Sequence, residues 1–198
     1  MPIEEAQALR SARLAALREE CAQLWGNWPT ELTLEIGCGH GHFLTAYAQA
    51  HPKEHCLGVD LLADRIARAR KKATRAGLAN LAFFHADAGL LLEALPPAVR
   101  LTRVFVLFPD PWPKRRHHKN RILQDPFLQQ LAGRAGQGAL LCFRTDYEPY
   151  FREVETLLAT HSAWRPVGAP WPFEFETVFQ SRADAHHSLL AKAAGPPP

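Results

Sequence analysis

The chain has 198 residues, 47% of them apolar, with 23 Lys and Arg against 20 Asp and Glu and a net charge of +3. That length suits one well-packed domain and is short for two, and so small a net charge says little about nucleic acid until its placement is known. Four scattered cysteines without a C-x-x-C pair argue against structural zinc and a disulfide framework, and with no apolar leader and no 18-residue apolar run the expectation is a soluble, cytoplasmic protein.

Helical spacing of Ile3, Ala6, Leu9, Leu14, Leu17, Cys21 and Leu24 predicts an amphipathic helix over residues 3 to about 24, closed by Trp25-Gly26-Asn27-Trp28-Pro29. A strand over 32–36, a glycine turn over 37–41 and a helix over 42–50 follow. The alternation continues with a strand at 56–60, a helix at 63–76 ended by Gly77, a strand at 80–86 ending at Asp87 and a short helix near 90–95. A strand at 101–107, a helix at 122–134, a strand at 138–144 and a helix at 147–161 complete it. Such alternation predicts an α/β fold with a mostly parallel sheet, helices on both faces and right-handed crossovers. Residues 172–180 and 186–191 read as an antiparallel hairpin that finishes a seven-stranded sheet. The expected organisation is a single domain over 1–198: N-terminal helix and turn at 1–28, core at 30–192, frayed tail at 193–198.

The stretch that concentrates chemistry is Phe108-Pro109-Asp110-Pro111-Trp112-Pro113, followed by five cations in eight residues, Lys114, Arg115, Arg116, Lys119 and Arg121. Three prolines fix three φ angles and are expected to hold Asp110 and Trp112 extended at a strand's end. The cations repel one another unless an anion such as phosphate lies against them. Trp112 has two readings, a base-stacking platform or a plug of the loop onto the core.

Ligands of open parallel sheets sit beyond the carboxyl ends of the strands, where strand order reverses. Gly37, Gly39 and Gly41 face that place, but their G-x-G-x-G spacing lacks the fingerprint that cradles a pyrophosphate, which disfavours a dinucleotide. Glu35, Asp60, Asp87 and Asp110 stand within or at the ends of four strands, and four acids so grouped repel unless something cationic and rich in donors lies among them. A sulfonium cofactor with an amino group, a ribose and an adenine fits. Asp60 is placed for the ribose hydroxyls and Asp87 for the adenine amino group, although each acid singly also suits a helix cap. Arg65, Arg68, Lys72 and Arg75 form a basic helix face opposite Ile66, Ala69 and Ala73, either solvated or laid against RNA. Adjacent histidines point apart on a strand and no third ligand accompanies them, so no metal is expected.

Glu35-Ile36-Gly37-Cys38-Gly39-His40-Gly41 resembles the first motif of class I S-adenosylmethionine-dependent methyltransferases, which carry a Rossmann-like sheet. Phe108 to Lys119 resembles the signature of the bacterial tRNA (guanine-N7)-methyltransferases, the TrmB family. Thr145-Asp146-Tyr147-Glu148-Pro149-Tyr150 and Phe175 to Arg182 resemble two further segments of that family, and the likeness covers about residues 30 to 185. The resemblance implies methyl transfer from S-adenosyl-L-methionine to N7 of the variable-loop guanine of tRNA, position 46. It implies Asp110 and Asp146 as catalytic residues and Glu35, Gly37, Gly39, Gly41, Asp60, Asp87 and Asp110 around the cofactor. Lys114, Arg116, His117, His118, Lys119, Arg121, Asp146, Phe173 and Glu176 are the expected tRNA contacts. No membrane or stable protein partner is expected, and monomer and homodimer remain open. Three departures stand out: Asp60 where the family more often has Glu, Phe173 where it has Thr, and Ala183 where Gly is common. The alternatives are a class I methyltransferase with another substrate and a tRNA-binding homologue impaired in catalysis.

Overall fold

The chain threads one seven-stranded sheet in the order β3-β2-β1-β4-β5-β7-β6. A computed structural model describes residues 2–175 and 185–194; Glu176, the remainder of the strand expected to reach Gln180 and the Gly195–Pro198 tail lie outside them. In chain order the elements are α1 (Ile3–Trp25), β1 (Glu31–Ile36), α2 (His42–Ala50), β2 (Cys56–Asp60), α3 (Ala63–Ala76), β3 (Leu81–His85), α4 (Ala88–Ala94) and β4 (Arg100–Leu107). A 3₁₀ helix (Arg115–Asn120), α5 (Asp125–Arg134), β5 (Ala135–Thr145), α6 (Glu148–Thr160), β6 (Trp164–Pro166) and β7 (His187–Ala193) complete them.

β1 pairs in parallel with β2 on one side and β4 on the other, while β7 runs antiparallel to both β5 and β6. Strand order therefore reverses at β1, and its carboxyl end is where a ligand cleft forms. The pleat sorts the core. Leu34, Ile36, Val104, Val106, Leu141 and Phe143 pack with residues of α1, α4, α5 and α6, whereas Phe83, Phe105 and Cys142 pack with residues of α2 and α3. Strands covered on both faces explain near-continuous apolar runs such as Val104-Phe105-Val106.

Three expectations need correction. The apolar stripe of α1 does not run its length: only Leu14, Leu17 and Cys21 are buried, and Ile3 stands 77% exposed. Residues 115–120 wind into the 3₁₀ helix, so the helix expected from Ile122 starts at Asp125, with Pro126 in its first turn supplying a preset φ. The edge strand is Trp164–Pro166, and Pro172–Phe175 lies outside the sheet. Trp164 is fully buried with its indole N–H donating to the Leu128 carbonyl at 2.9 Å, which fixes that short strand. Pro170 and Pro172 in turn remove donors that a strand ladder would need.

Candidate active site

A cleft of about 720 Å³ opens at the carboxyl ends of β1, β2, β3 and β4. Its walls carry Glu35, Gly37, Gly39, Asp60, Asp87 and Asp110, so six of the seven residues expected around a cofactor meet there. Gly37 and Gly39 turn the chain with φ of 72° and 52°, and a Cβ on either would meet nothing within 4 Å. Backbone is thereby exposed to a ligand at close range.

Gly41 does something else. It is buried and absent from the cleft wall, and a Cβ there would stand 2.5 Å from Phe83 and 2.9 Å from Ala69. Its role is close packing of the α2 start against β3 and α3, not ligand contact.

Glu35 is 4% exposed, and its Oε2 has no hydrogen-bond partner. Burial pushes its carboxyl up to about 8, opposed by the Leu44 N–H and reinforced by the Asp60 charge. An orphaned acceptor in an apolar setting favours a proton or a cationic partner. Asp60 accepts from the Gly39 N–H at 2.9 Å and the Leu62 N–H at 2.8 Å, clamping the glycine turn to the end of β2. Asp87 caps α4 by accepting from the Leu90 N–H at 3.0 Å while also lining the cleft, so both of its readings coexist. Cys38 lines the cleft too, but burial drives its thiol far above the ordinary range and removes it as a nucleophile.

The proline loop forms the opposite wall through Phe108, Pro109, Asp110 and Trp112. Trp112 is not extended as expected: φ is 44° there and 48° at Phe108. Two bulky residues in the left-handed region cost about 1–3 kcal/mol each and mark a segment held by its surroundings. Trp112 lies half-buried in the wall with its ring edge-on to His117 at 5.8 Å. Asp110 is exposed at the rim, and Asp146 is exposed at the end of the neighbouring β5 without lining the cleft.

The basic run divides. Lys114, Arg116 and Lys119 are exposed, His117 and His118 half-buried. The Arg116 Nε donates to His117 Nε2 at 3.2 Å, and His118 Nδ1 stands 3.8 Å from Glu153. Arg121, expected to contact phosphate, is turned inward and 3% exposed. Its Nε donates to the Pro111 carbonyl at 2.8 Å, an Nη pairs with Glu153 of α6, and its guanidinium stacks 4.8 Å from the centroid of the Tyr150 ring. Arg121 thus pins the proline loop to α6. Nothing local in the sequence signalled this; composition made it one cation among five.

Phe173 is not at the cleft wall either. It packs edge-on to Phe43, Tyr47 and His51 at 5.8, 5.3 and 5.6 Å, on the face of α2. Its segment is tied down by Arg144, which donates to both oxygens of Glu174 at 3.0 and 3.1 Å and stacks 4.0 Å over Trp171. His40 and His42, weighed in the sequence only as metal ligands, line the cleft, as do Leu62 and Asn120, which the sequence did not single out. His40 lies within the glycine motif and His42 directly follows it, and Asn120 lies within the basic run, so position alone gave a signal for them. Among the described residues no three His, Cys, Asp or Glu side chains converge as metal ligands.

A mostly parallel sheet with its cleft at the strand-order reversal, a glycine turn and a buried acid whose Oε2 has no partner are the features of a Rossmann-like methyltransferase fold. The family model described as "Putative methyltransferase" matches residues 29–169. A tRNA (guanine-N(7)-)-methyltransferase of Magnetococcus marinus is 36% identical over 176 residues, spanning 85% of this chain and 69% of the relative. The corresponding enzyme of Thermus thermophilus is 38% identical over 141 residues, 71% of this chain but only 45% of the relative. Among solved structures, a 16S rRNA (adenine(1408)-N(1))-methyltransferase from Catenulisporales acidiphilia with its cosubstrate SAM superposes with a TM-score of 0.59 at 21% identity, covering 90% of this chain and 92% of that one. The chain belongs to the tRNA (guanine-N(7)-)-methyltransferase family. It spans about half to two thirds of the length of the relatives it matches.

Proposed function

We propose that this chain transfers a methyl group from S-adenosyl-L-methionine to N7 of the variable-loop guanine, position 46, of tRNA. The observation that carries the reading is the joining, in one cleft, of the glycine turn and its acids with the proline loop that bears the cationic run. Relatives named for this activity at 36–38% identity support it.

The residues fit the cofactor. Glu35 offers a buried acceptor without a partner, suited to a cationic, donor-rich ligand, and Asp60 and Asp87 line the same cleft as acceptors for ribose and adenine. S-adenosylmethionine, when bound, supplies a methyl group on a sulfonium centre. The protein's own part is placement, which is worth up to about 7–11 kcal/mol when reacting atoms are well aligned. N7 of guanine carries an in-plane lone pair, so no base need remove a proton before attack. Guanine gains positive charge as the new bond forms, and the carboxylate of Asp110 at the cleft rim favours that charge. Asp146 at the next strand end accepts from the guanine Watson–Crick edge, selecting guanine over adenine. Trp112 provides the wall against which the base rests, while Lys114, Arg116 and Lys119 hold phosphates from the exposed side. The setting is the cytoplasm, where tRNA is handled.

The test is incubation with labelled S-adenosylmethionine and an unmodified tRNA transcript, then nuclease digestion and chromatography. Label in 7-methylguanosine is expected; label in any other nucleoside contradicts the reading. The packing of Phe173 on α2, where the family has Thr, favours one second reading, a binder without transfer. Normal tRNA affinity with no label would establish it.

A further inference from the structure

The basic charge of this chain is concentrated in two places. α3 and the stretch Lys114–Arg121 together hold 11 of the 23 Lys and Arg but only one of the 20 Asp and Glu, a net +10, leaving −7 on all other residues. They stand on opposite sides of the cleft. α3 starts from the end of β2 and the 3₁₀ helix follows β4, with β1 between them. Arg65 of α3 and Asn120 of the 3₁₀ helix both line the cleft.

Within α3 the cations are not equivalent. Arg70 is engaged, donating to the Phe83 carbonyl at 2.7 Å and pairing with Glu20 at 2.7 Å, and Arg65 stands 4.0 Å from Asp60. Arg68, Lys71, Lys72 and Arg75 have no acidic partner among the described residues, and Arg68, Lys71 and Arg75 are exposed. The Lys72 ammonium is buried and without an acceptor, close enough to His42 of the cleft wall to act on its charge. Ile66, Ala69 and Ala73 bury the opposite side, which holds this face outward. From Arg65 at the cleft wall to Arg75 it extends roughly 15 Å away from the cleft, toward the amino end of β3, at about 1.5 Å of rise per residue.

We propose that the outward α3 face formed by Arg68, Lys71 and Arg75, which runs back along the sheet from the cleft wall at Arg65, is a second phosphate-binding surface for the RNA whose guanine enters the cleft. A lone solvated face would have acids interspersed, as the net-negative remainder of the chain does; three exposed, unneutralised cations on one helix face fit a polyanion instead. This rests on tRNA being the substrate. Lys114, Arg116 and Lys119 hold the RNA beside the target base, and the α3 face adds affinity that is independent of sequence and screened by salt.

The experiment compares the intact protein with Arg68→Glu/Arg75→Glu and Arg68→Lys/Arg75→Lys, neither site lining the cleft. Affinity for a tRNA transcript is measured from 50 to 250 mM salt, cofactor affinity by calorimetry and methyl transfer by steady-state kinetics. Two lost phosphate contacts lower the slope of log affinity against log salt by about 1.5–2. The charge-reversed pair is expected to bind tRNA at least tenfold more weakly at 100 mM salt, to raise KM with kcat held, and to keep its cofactor affinity; the lysine pair stays near wild type. An unchanged slope and affinity overturn the proposal, as does a fall in kcat with KM unchanged. If the wild-type chain neither binds nor methylates tRNA, the functional reading falls first and this surface with it.

Discussion

Arg121→Met separates the structure's reading of the basic run from that of the bare sequence. The substitution keeps the aliphatic stem and removes three contacts: the bond to the Pro111 carbonyl at 2.8 Å, the pair with Glu153 and the stacking on Tyr150 at 4.8 Å. A charged donor to a carbonyl is worth about 1.5–3 kcal/mol. The Glu153 side chain is 41% exposed, so that pair adds about 0–1 kcal/mol. Stacking on the ring adds about 1–2 kcal/mol. These overlap, and roughly 2–4 kcal/mol is lost, a Tm decrease of about 4–16 °C at this chain length. Scanning calorimetry reads it directly. With the proline loop released from α6, kcat is expected to fall while the salt dependence of tRNA binding stays that of wild type. A wild-type Tm together with a salt slope lowered by about 1 would refute the reasoning and return Arg121 to the phosphate contacts.

Gly41→Ala meets both an unfavourable φ of 67° and a Cβ 2.5 Å from Phe83, so about 2–4 kcal/mol of stability is expected to be lost; a wild-type urea midpoint with lost cofactor affinity would put Gly41 in the cleft wall after all. The Glu35 carboxyl titrates near 8 in the folded chain against an ordinary 4.5, so the folded state binds more protons between those values and its stability falls as pH rises through them. Glu35→Gln is expected to flatten that decline, read from urea midpoints at pH 5 and pH 8; parallel declines in the two proteins would show that Glu35 is not the buried group responsible. Asp110→Ala is expected to leave tRNA affinity within about twofold and to reduce transfer at least a hundredfold, the loss typical of one electrostatic contact to developing charge. Unchanged turnover would remove Asp110 from the mechanism.

Most of the sheet was legible because buried parallel strands write continuous apolar runs and glycines punctuate them. Val104-Phe105-Val106-Leu107 gave β4, and Gly77, left-handed with φ 64°, closed α3 where expected. The cleft acids were legible for a related reason: in this topology every strand end after a crossover faces the same side. What escaped is side-chain direction. Nothing in a run of cations says that Arg121 points inward, since the cue is a carbonyl ten residues earlier and an acid on a helix far along the chain. Phe173 likewise found its place through rings of α2, a contact that local pattern does not encode. The backbone of Trp112 was misjudged because proline restrains its predecessor without excluding the left-handed region, which the Arg121 bond to Pro111 and the packing on His117 hold in place. Edge strand Trp164–Pro166 is three residues long with only Trp164 buried, too short for alternation to register.

The most direct test uses two tRNA transcripts identical except at position 46, one carrying guanine and one 7-deazaguanine, each incubated with the protein and labelled S-adenosylmethionine. Label in the first and none in the second is the predicted result, because only N7 distinguishes the two bases. Equal label in both would move the target to another atom and contradict the assignment of the cleft to guanine N7.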